Sequence, residues 1–210
     1  MDIESGIVFP VSTGRLNLGR ALTSEESLAF GNVIDDGTIP NDGNITSKCS
    51  HVFNEYKELG DIKDFLEKAV NKFVSDIYHP KNDISFYITQ SWLNVTKKNM
   101  FHHRHSHPNS YISGVLYLSC IDDDRIEFYN FPPANTIIQT LEVSDGENTI
   151  RNSNLVWYTV KYLDIVLFPS FLTHAVPTNK TDKERISLSF NTFMRGKIGS
   201  ANHLTEVILQ

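Results

Sequence analysis

Residues 99–119 read NMFHHRHSHPNSYISGVLYLS and carry the strongest chemical signal of the chain. Four histidines, His102, His103, His105 and His107, occupy six positions, and a strand-like apolar segment follows them. Residues i and i+2 of a strand share a face with their Cα atoms about 6.6 Å apart, so His105 and His107 can converge on one metal ion. The alternative is a strand end that is merely rich in histidine, and His103 and His105 have the same spacing.

A second stretch, residues 164–193, offers the third ligand that such a site needs. His174 follows the predicted strand DIVLFP, and neutral imidazoles suit iron, zinc, copper or nickel. Arg185 begins another predicted strand, in which alternation places Arg185, Ser187 and Ser189 on one face. A buried arginine needs an anion, and its planar guanidinium matches a carboxylate. A salt bridge to a surface acid is the alternative for Arg185.

Composition describes a globular chain of 210 residues with 40% hydrophobic and 21% charged residues. Its formal charge of −6 argues against a nucleic-acid backbone as the main partner. No apolar run approaches the ~18–20 residues of a membrane span, and residues 1–10 lack the basic region of a secretory signal. Cys49 and Cys120 show no CxxC spacing, so we expect two reduced thiols and a cytoplasmic location.

The first 80 residues indicate helical support. Thr23 and Glu26 have the spacing of a capping box and predict a helix that ends near Phe30, followed by an exposed loop over residues 31–47. From Asp61, as N-cap, apolar residues recur at the i, i+3, i+4, i+7 spacing, with Pro80 beyond the end. This pattern predicts an amphipathic helix packed on a sheet.

After Pro80, short segments rich in β-branched and aromatic residues alternate with turn signals, among them an acidic hairpin turn at Asp122–Asp124. They predict a mainly β fold, an antiparallel sandwich or jelly roll with the N-terminal helices packed on one sheet. We expect one domain over residues 1–210, with residues 81–195 as its jelly-roll core. The predicted strands are Ser85–Val95, Tyr111–Cys120, Arg125–Phe131, Thr136–Val143, Leu155–Tyr162, Ile165–Phe168 and Ile186–Phe193.

The second half of the chain resembles the iron(II)- and 2-oxoglutarate-dependent oxygenases of the prolyl-hydroxylase-like branch. That family has a His-x-Asp pair at a strand end, a strand ending in Tyr-Leu, a distal histidine, and a basic residue about ten positions later. The corresponding residues here are His105-Ser106-His107, Tyr117-Leu118, His174 and Arg185, with Ser187 completing an Arg-x-Ser pair. HSHPNSYISGVLYL, LFPSFLTHAVP and ERISLSFN are also similar to a group of uncharacterised oxygenases of this class.

The resemblance implies a double-stranded β-helix whose open end binds iron(II) through His105, His107 and His174. It implies that 2-oxoglutarate is the cosubstrate, with its C5 carboxylate held by Arg185, Tyr117 and Ser187. The implied reaction is hydroxylation of a small-molecule or peptide substrate, with release of succinate and carbon dioxide.

The chain departs from the family pattern at His107, where the family has a carboxylate. Three neutral histidines are also the metal ligands of the three-histidine dioxygenases, which do not use 2-oxoglutarate. This alternative stays open. A non-catalytic jelly-roll module that binds a metal or a small ligand is the other alternative. We expect no nucleic-acid or membrane partner, and the edge strands of a jelly roll make a homodimer plausible.

Overall fold

The structure is a computed structural model that describes residues 10–130, Thr149 and residues 152–209. These residues form two antiparallel sheets. The described strands are β1 (Gly14–Asn17), β2 (Thr38–Pro40), β3 (Ile45–Ser47), β4 (Ile84–Thr96), β5 (His102–His105), β6 (Ile112–Ser119), β7 (Arg125–Tyr129), β8 (Leu155–Thr159), β9 (Asp164–Pro169), β10 (His174–Val176), β11 (Arg185–Ile198) and β12 (Val207–Leu209).

The strand order within each sheet is that of a jelly roll. Among the described residues, the larger sheet has the order β1-β9-β6-β11-β4-β3-β2, with β12 paired to β11. The smaller sheet has the order β5-β10-β7-β8. Neighbouring strands are antiparallel throughout, and the jelly roll predicted from the sequence is confirmed.

The described residues form three α-helices, α1 (Ser24–Asp35), α2 (Val52–Glu55) and α3 (Gly60–Tyr78), which support the larger sheet, with 3₁₀ turns at Lys57–Leu59 and Ala201–His203. The predicted capping box is present: the backbone N–H of Glu26 donates to the Thr23 hydroxyl, and the Glu26 carboxylate accepts from the Thr23 N–H. Helix α3 is preceded by Leu59 as N-cap rather than by Asp61, a difference of two residues.

The prediction of an exposed loop over residues 31–47 is wrong. Helix α1 continues to Asp35 because Ala29, Phe30 and Val33 are buried in the core. The segment beyond it forms the β2–β3 hairpin, whose Ile45 pairs with Val95 of β4. The other predicted strands that lie in described residues are present with shifted ends, and Thr136–Val143 lies outside the described residues.

Strand β6 separates two apolar cores by its alternation. Leu116 lies in the larger core with Ile62 and Leu66 of α3, whereas Val115 and Tyr117 lie in a smaller core between the two sheets. Because side chains alternate along a strand, the face of the larger sheet that carries Tyr117 lines the interior of the jelly roll. The candidate site lies on this interior face.

Two further expectations concern the cysteines and membrane association. Cys49 and Cys120 are free thiols, as expected. No helix in the described ranges has the length and apolar character needed to cross a membrane.

Candidate metal centre

Three histidines from two distant stretches of the chain meet at one end of the smaller sheet. His105 ends β5 and pairs with His174 at the start of β10. His107 lies two residues beyond β5, where its backbone N–H donates to the carbonyl oxygen of Ser170 at 2.8 Å. One ligand nitrogen from each of the three lies within 4.8 Å of the other two. The structure therefore brings together the three histidines singled out in the sequence.

Hydrogen bonds fix which nitrogen of each ring is available. Nδ1 of His105 lies 2.8 Å from the carbonyl oxygen of His103, and Nδ1 of His174 lies 3.0 Å from that of Leu172. A carbonyl oxygen only accepts, so both Nδ1 atoms carry hydrogen and both Nε2 atoms keep a free lone pair. This arrangement is common for metal-ligating histidines, whose second nitrogen is oriented by a neighbouring acceptor.

His107 is oriented by a side chain instead of a carbonyl group. The Ser113 hydroxyl lies 2.8 Å from Oδ1 of Asn191, from Oγ of Ser170 and from Nδ1 of His107. A hydroxyl has one hydrogen, and with that hydrogen directed to Oδ1 of Asn191 it accepts from Nδ1 of His107. Nε2 of His107 is then unprotonated, and within the described part of the chain it is buried without a hydrogen-bond partner. A buried polar atom left in this way loses about 1–3 kcal/mol of solvation, which a bound ion would restore.

Burial also keeps the three rings neutral. Desolvation, together with the neighbouring His105, lowers the pKa of His107 to about 4. Desolvation lowers the pKa of His174 well below its usual value and lowers that of His105 as well. Since only the neutral imidazole is a metal ligand, the cluster is ready to bind a metal ion at neutral pH.

The position of Ser113 leads to a testable prediction. We expect Ser113→Ala to weaken the binding of Co²⁺ roughly 10- to 100-fold, because loss of a group that orients a ligand typically has this effect. Competition with a chromophoric chelator measures the affinity. Ser119→Ala on the same strand is the matched control, since its hydroxyl donates to the Glu184 carbonyl oxygen. Equal affinities of the two variants would show that Ser113 does not orient His107.

Arg185, the residue expected to hold a carboxylate, already faces an anion within the chain. Its Nε lies 2.6 Å from Oδ1 of Asp124, and the two side chains are 3% and 0% exposed. Its Nη1 donates to the carbonyl oxygen of Pro177 at 3.2 Å. Burial raises the pKa of Asp124, and the positive charge of Arg185 opposes this shift. Asp124 thus has a role that the sequence, which indicated only an acidic hairpin turn, did not reveal.

Two other predicted cosubstrate residues lie on the same interior face. Ser187 is directly opposite Tyr117 in the pairing of β11 with β6, and the two are 8% and 1% exposed. In the described residues the Tyr117 hydroxyl is buried without a hydrogen-bond partner. Arg185 contacts Asp124 through Nε and Pro177 through Nη1, and Nη2 takes part in neither contact. Burial, together with the charge of Asp124, raises the pKa of Tyr117, so its hydroxyl stays a donor. The geometry leaves two donors available to an anionic ligand.

Sequence reasoning missed the residues that support the site, namely Ser113, Asn191 and Asp124. Alternation along β6 offered a signal for Ser113, which shares the inward face with Tyr117. For Asp124 the local sequence offers none, because three consecutive aspartates are equivalent until Arg185 is placed beside one of them.

Part of the chain matches a known protein family. Residues 90–191 match the sequence profile of a family described as "Putative 2OG-Fe(II) oxygenase". The matched segment contains the three clustered histidines, Tyr117, Asp124 and Arg185. A comparison with curated proteins gives no match.

Solved structures share the fold at low sequence identity. An oxidoreductase of the 2OG-Fe(II) oxygenase family from Burkholderia pseudomallei is 14% identical, with a TM-score of 0.55 over 86% of this chain and 83% of that chain. HygX from Streptomyces hygroscopicus, with nickel, 2-oxoglutarate and hygromycin B bound, is 13% identical, with a TM-score of 0.55 over 86% and 82%. A Pseudomonas putida prolyl-4-hydroxylase is 13% identical, with a TM-score of 0.54 over 86% and 92%.

Proposed function

Since residues 90–191 match a family of 2OG-Fe(II) oxygenases, we propose that the chain is an iron(II)- and 2-oxoglutarate-dependent oxygenase and that His105, His107 and His174 bind its iron. The observation that carries this assignment is the convergence of three ligand nitrogens within 4.8 Å. Two of the rings have Nδ1 committed to carbonyl oxygens, and the third has Nδ1 committed to a serine hydroxyl. The donor set suits a divalent transition metal, and imidazole is a good ligand for iron(II).

The bound group supplies the redox chemistry: with iron(II), 2-oxoglutarate and oxygen, an oxygenase of this family oxidises its substrate and releases succinate and carbon dioxide. The chain supplies binding and a water-poor environment. The ring of Phe168 packs 4.6 Å from that of His174, and Phe128 packs 5.3 Å from Phe168. These apolar rings shield one side of the centre from water, which strengthens the electrostatic interactions inside it.

We assign the C5 carboxylate of 2-oxoglutarate to Tyr117, Arg185 and Ser187. The Tyr117 hydroxyl is a donor without a partner in the described residues, Nη2 of Arg185 takes part in neither contact of that arginine, and an incoming carboxylate would accept from both. Ser187, opposite Tyr117, places a second hydroxyl on this face. Because Nε of Arg185 faces Asp124 and Nη1 donates to the Pro177 carbonyl oxygen, Nη2 is the nitrogen of the arginine that remains for the cosubstrate.

Charge balance supports the same assignment. With His107 in place of a carboxylate, the three ligands add no charge to an iron(II) ion. The two negative charges of 2-oxoglutarate offset the two positive charges of iron(II). The negative charge of Asp124 offsets the positive charge of Arg185. Asp124 thus brings to the cosubstrate end the negative charge that the ligand set lacks, so the occupied site is neutral overall.

The substrate is proposed only by class, as a small molecule or a peptide. A cytoplasmic location is also a proposal, supported by the free thiols of Cys49 and Cys120, because disulfides are rare in that reducing compartment.

An anaerobic titration of the iron(II)-loaded protein with 2-oxoglutarate tests the assignment. We expect the weak visible charge-transfer absorption that chelation of iron(II) by this cosubstrate produces. Tyr117→Phe should weaken the affinity about tenfold, because a hydrogen bond to a charged group contributes about 1.5 kcal/mol. It should not lower the free energy of unfolding, since the hydroxyl it removes has no partner.

Tyr162→Phe is the matched control, because Tyr162 is 51% exposed. An unchanged affinity in Tyr117→Phe would remove Tyr117 from the cosubstrate site. Iron binding without any such absorption would favour a three-histidine dioxygenase that does not use 2-oxoglutarate.

A further inference from the structure

A second histidine cluster lies beside the candidate metal centre. His102, His103 and His105 each offer a ligand nitrogen within 4.8 Å of the other two. The rings of His102 and His105 are stacked with centroids 4.6 Å apart, and those of His103 and His105 are 4.7 Å apart. We call this group the outer cluster, and His105, His107 and His174 the inner cluster.

An irregularity in the strand pairing explains how His102 joins the outer cluster. Regular alternation places His102 on the opposite face of β5 from His103 and His105. However, β5 pairs His105 with His174 and His102 with Val176, so it has one more residue between the pairs than β10. Such a bulge rotates the side chains next to it, and bulges commonly re-aim side chains near functional sites.

Two of the three rings of the outer cluster, those of His103 and His105, are oriented by backbone carbonyl groups, as in the inner cluster. Nδ1 of His103 lies 3.0 Å from the carbonyl oxygen of Asp42, in the turn between β2 and β3, so it carries hydrogen and leaves Nε2 free. Neither nitrogen of His102 is engaged by a hydrogen bond in the described residues. The outer cluster therefore presents three imidazoles that can act as ligands, one of them fixed by a loop far away in sequence.

We propose that His102, His103 and His105 form a second transition-metal site, which takes up the ion and exchanges it with the inner cluster. The two sites exclude each other, since Nδ1 of His105 donates to the His103 carbonyl oxygen and only one lone pair of that ring remains. The chain then holds one ion, which changes position around a shared ligand. The outer site rests on the proposed function only in that it shares His105 with the proposed iron site.

Titration of the metal-free full chain with Co²⁺, followed by its visible absorption, tests the outer site. In His174→Ala the inner cluster is broken, and we expect one Co²⁺ to bind still. Adding His103→Ala to this variant should weaken binding roughly 100-fold, since each ligand of a structural zinc site accounts for about 3 kcal/mol. His203→Ala, at an exposed position outside both clusters, is the matched control in the same background.

Equal Co²⁺ affinities for His174→Ala with and without His103→Ala would overturn the outer site. His107→Ala breaks the inner cluster from a loop, so the same pair of measurements in that background applies if His174→Ala does not fold. His103→Ala alone separates this inference from the proposed function. It keeps the inner cluster and the backbone carbonyl that orients His105, and it should bind one Co²⁺ and 2-oxoglutarate as the unmodified chain does.

Discussion

Replacing Arg185 with alanine should lower the free energy of unfolding by about 3–5 kcal/mol. The substitution leaves the carboxylate of Asp124 buried without its cation, and loss of one partner of a buried ion pair typically has an effect of this size. Neither side chain can relax into water, because they are 3% and 0% exposed. Urea denaturation of the metal-free protein at pH 7 measures the change.

The double variant Arg185→Ala with Asp124→Asn is the control for this prediction. It removes the stranded charge while keeping an amide oxygen at the same position, so we expect it to recover part of the lost stability. A loss below about 1 kcal/mol in Arg185→Ala, the range of an exposed ion pair, would contradict the buried pairing.

This prediction bears on how a loss of 2-oxoglutarate binding in Arg185→Ala should be interpreted. Such a loss has two sources, the missing contact with the cosubstrate and the weakened structure around Asp124. Tyr117→Phe does not have this ambiguity, because the hydroxyl it removes has no partner in the described residues. The tyrosine is therefore the sharper probe of the cosubstrate site, although the sequence drew attention to the arginine first.

Local patterns were enough to predict much of the fold. Alternating apolar residues predicted most strands, and the capping box at Thr23 and Glu26 predicted the start of α1. The hairpin β2–β3 escaped prediction because its strands are short and polar. It forms by pairing with β4, which is far away in sequence, and residues 38–47 alone carry no trace of that partner.

The candidate site was also predicted only in part from the sequence. His105, His107 and His174 stand out by residue type and spacing, and the structure brings them together. Asp124 and the outer position of His102 depend on strand register and on a bulge, which pair residues distant along the chain. Residue type identified the groups that we propose as ligands, whereas the groups that orient or neutralise them became visible only after folding.

Mild acid should destabilise the metal-free protein more than its carboxylates can explain. Burial lowers the pKa of His102 to about 3 and that of His107 to about 4, and it lowers the pKa values of His105 and His174 in the same direction. In the unfolded chain each imidazole takes up a proton near pH 6.5, whereas in the folded protein it stays neutral. The unfolded state thus binds more protons, and stability falls as the pH falls below 6.5.

Between pH 7 and pH 5.5 each imidazole that stays neutral lowers the free energy of unfolding by about 1 kcal/mol, so the three with the largest pKa shifts, His102, His107 and His174, lower it by about 3 kcal/mol. Asp124 acts in the opposite sense because burial raises its pKa, but one carboxyl group does not reverse the effect of three rings. Urea midpoints across this range measure the change. His102→Gln should reduce the fall by about 1 kcal/mol, while His203→Gln, at an exposed position, should not alter it. Stability that is level from pH 7 to pH 5.5 would mean that the rings take up protons in the folded state, which is incompatible with a buried cluster of neutral ligands.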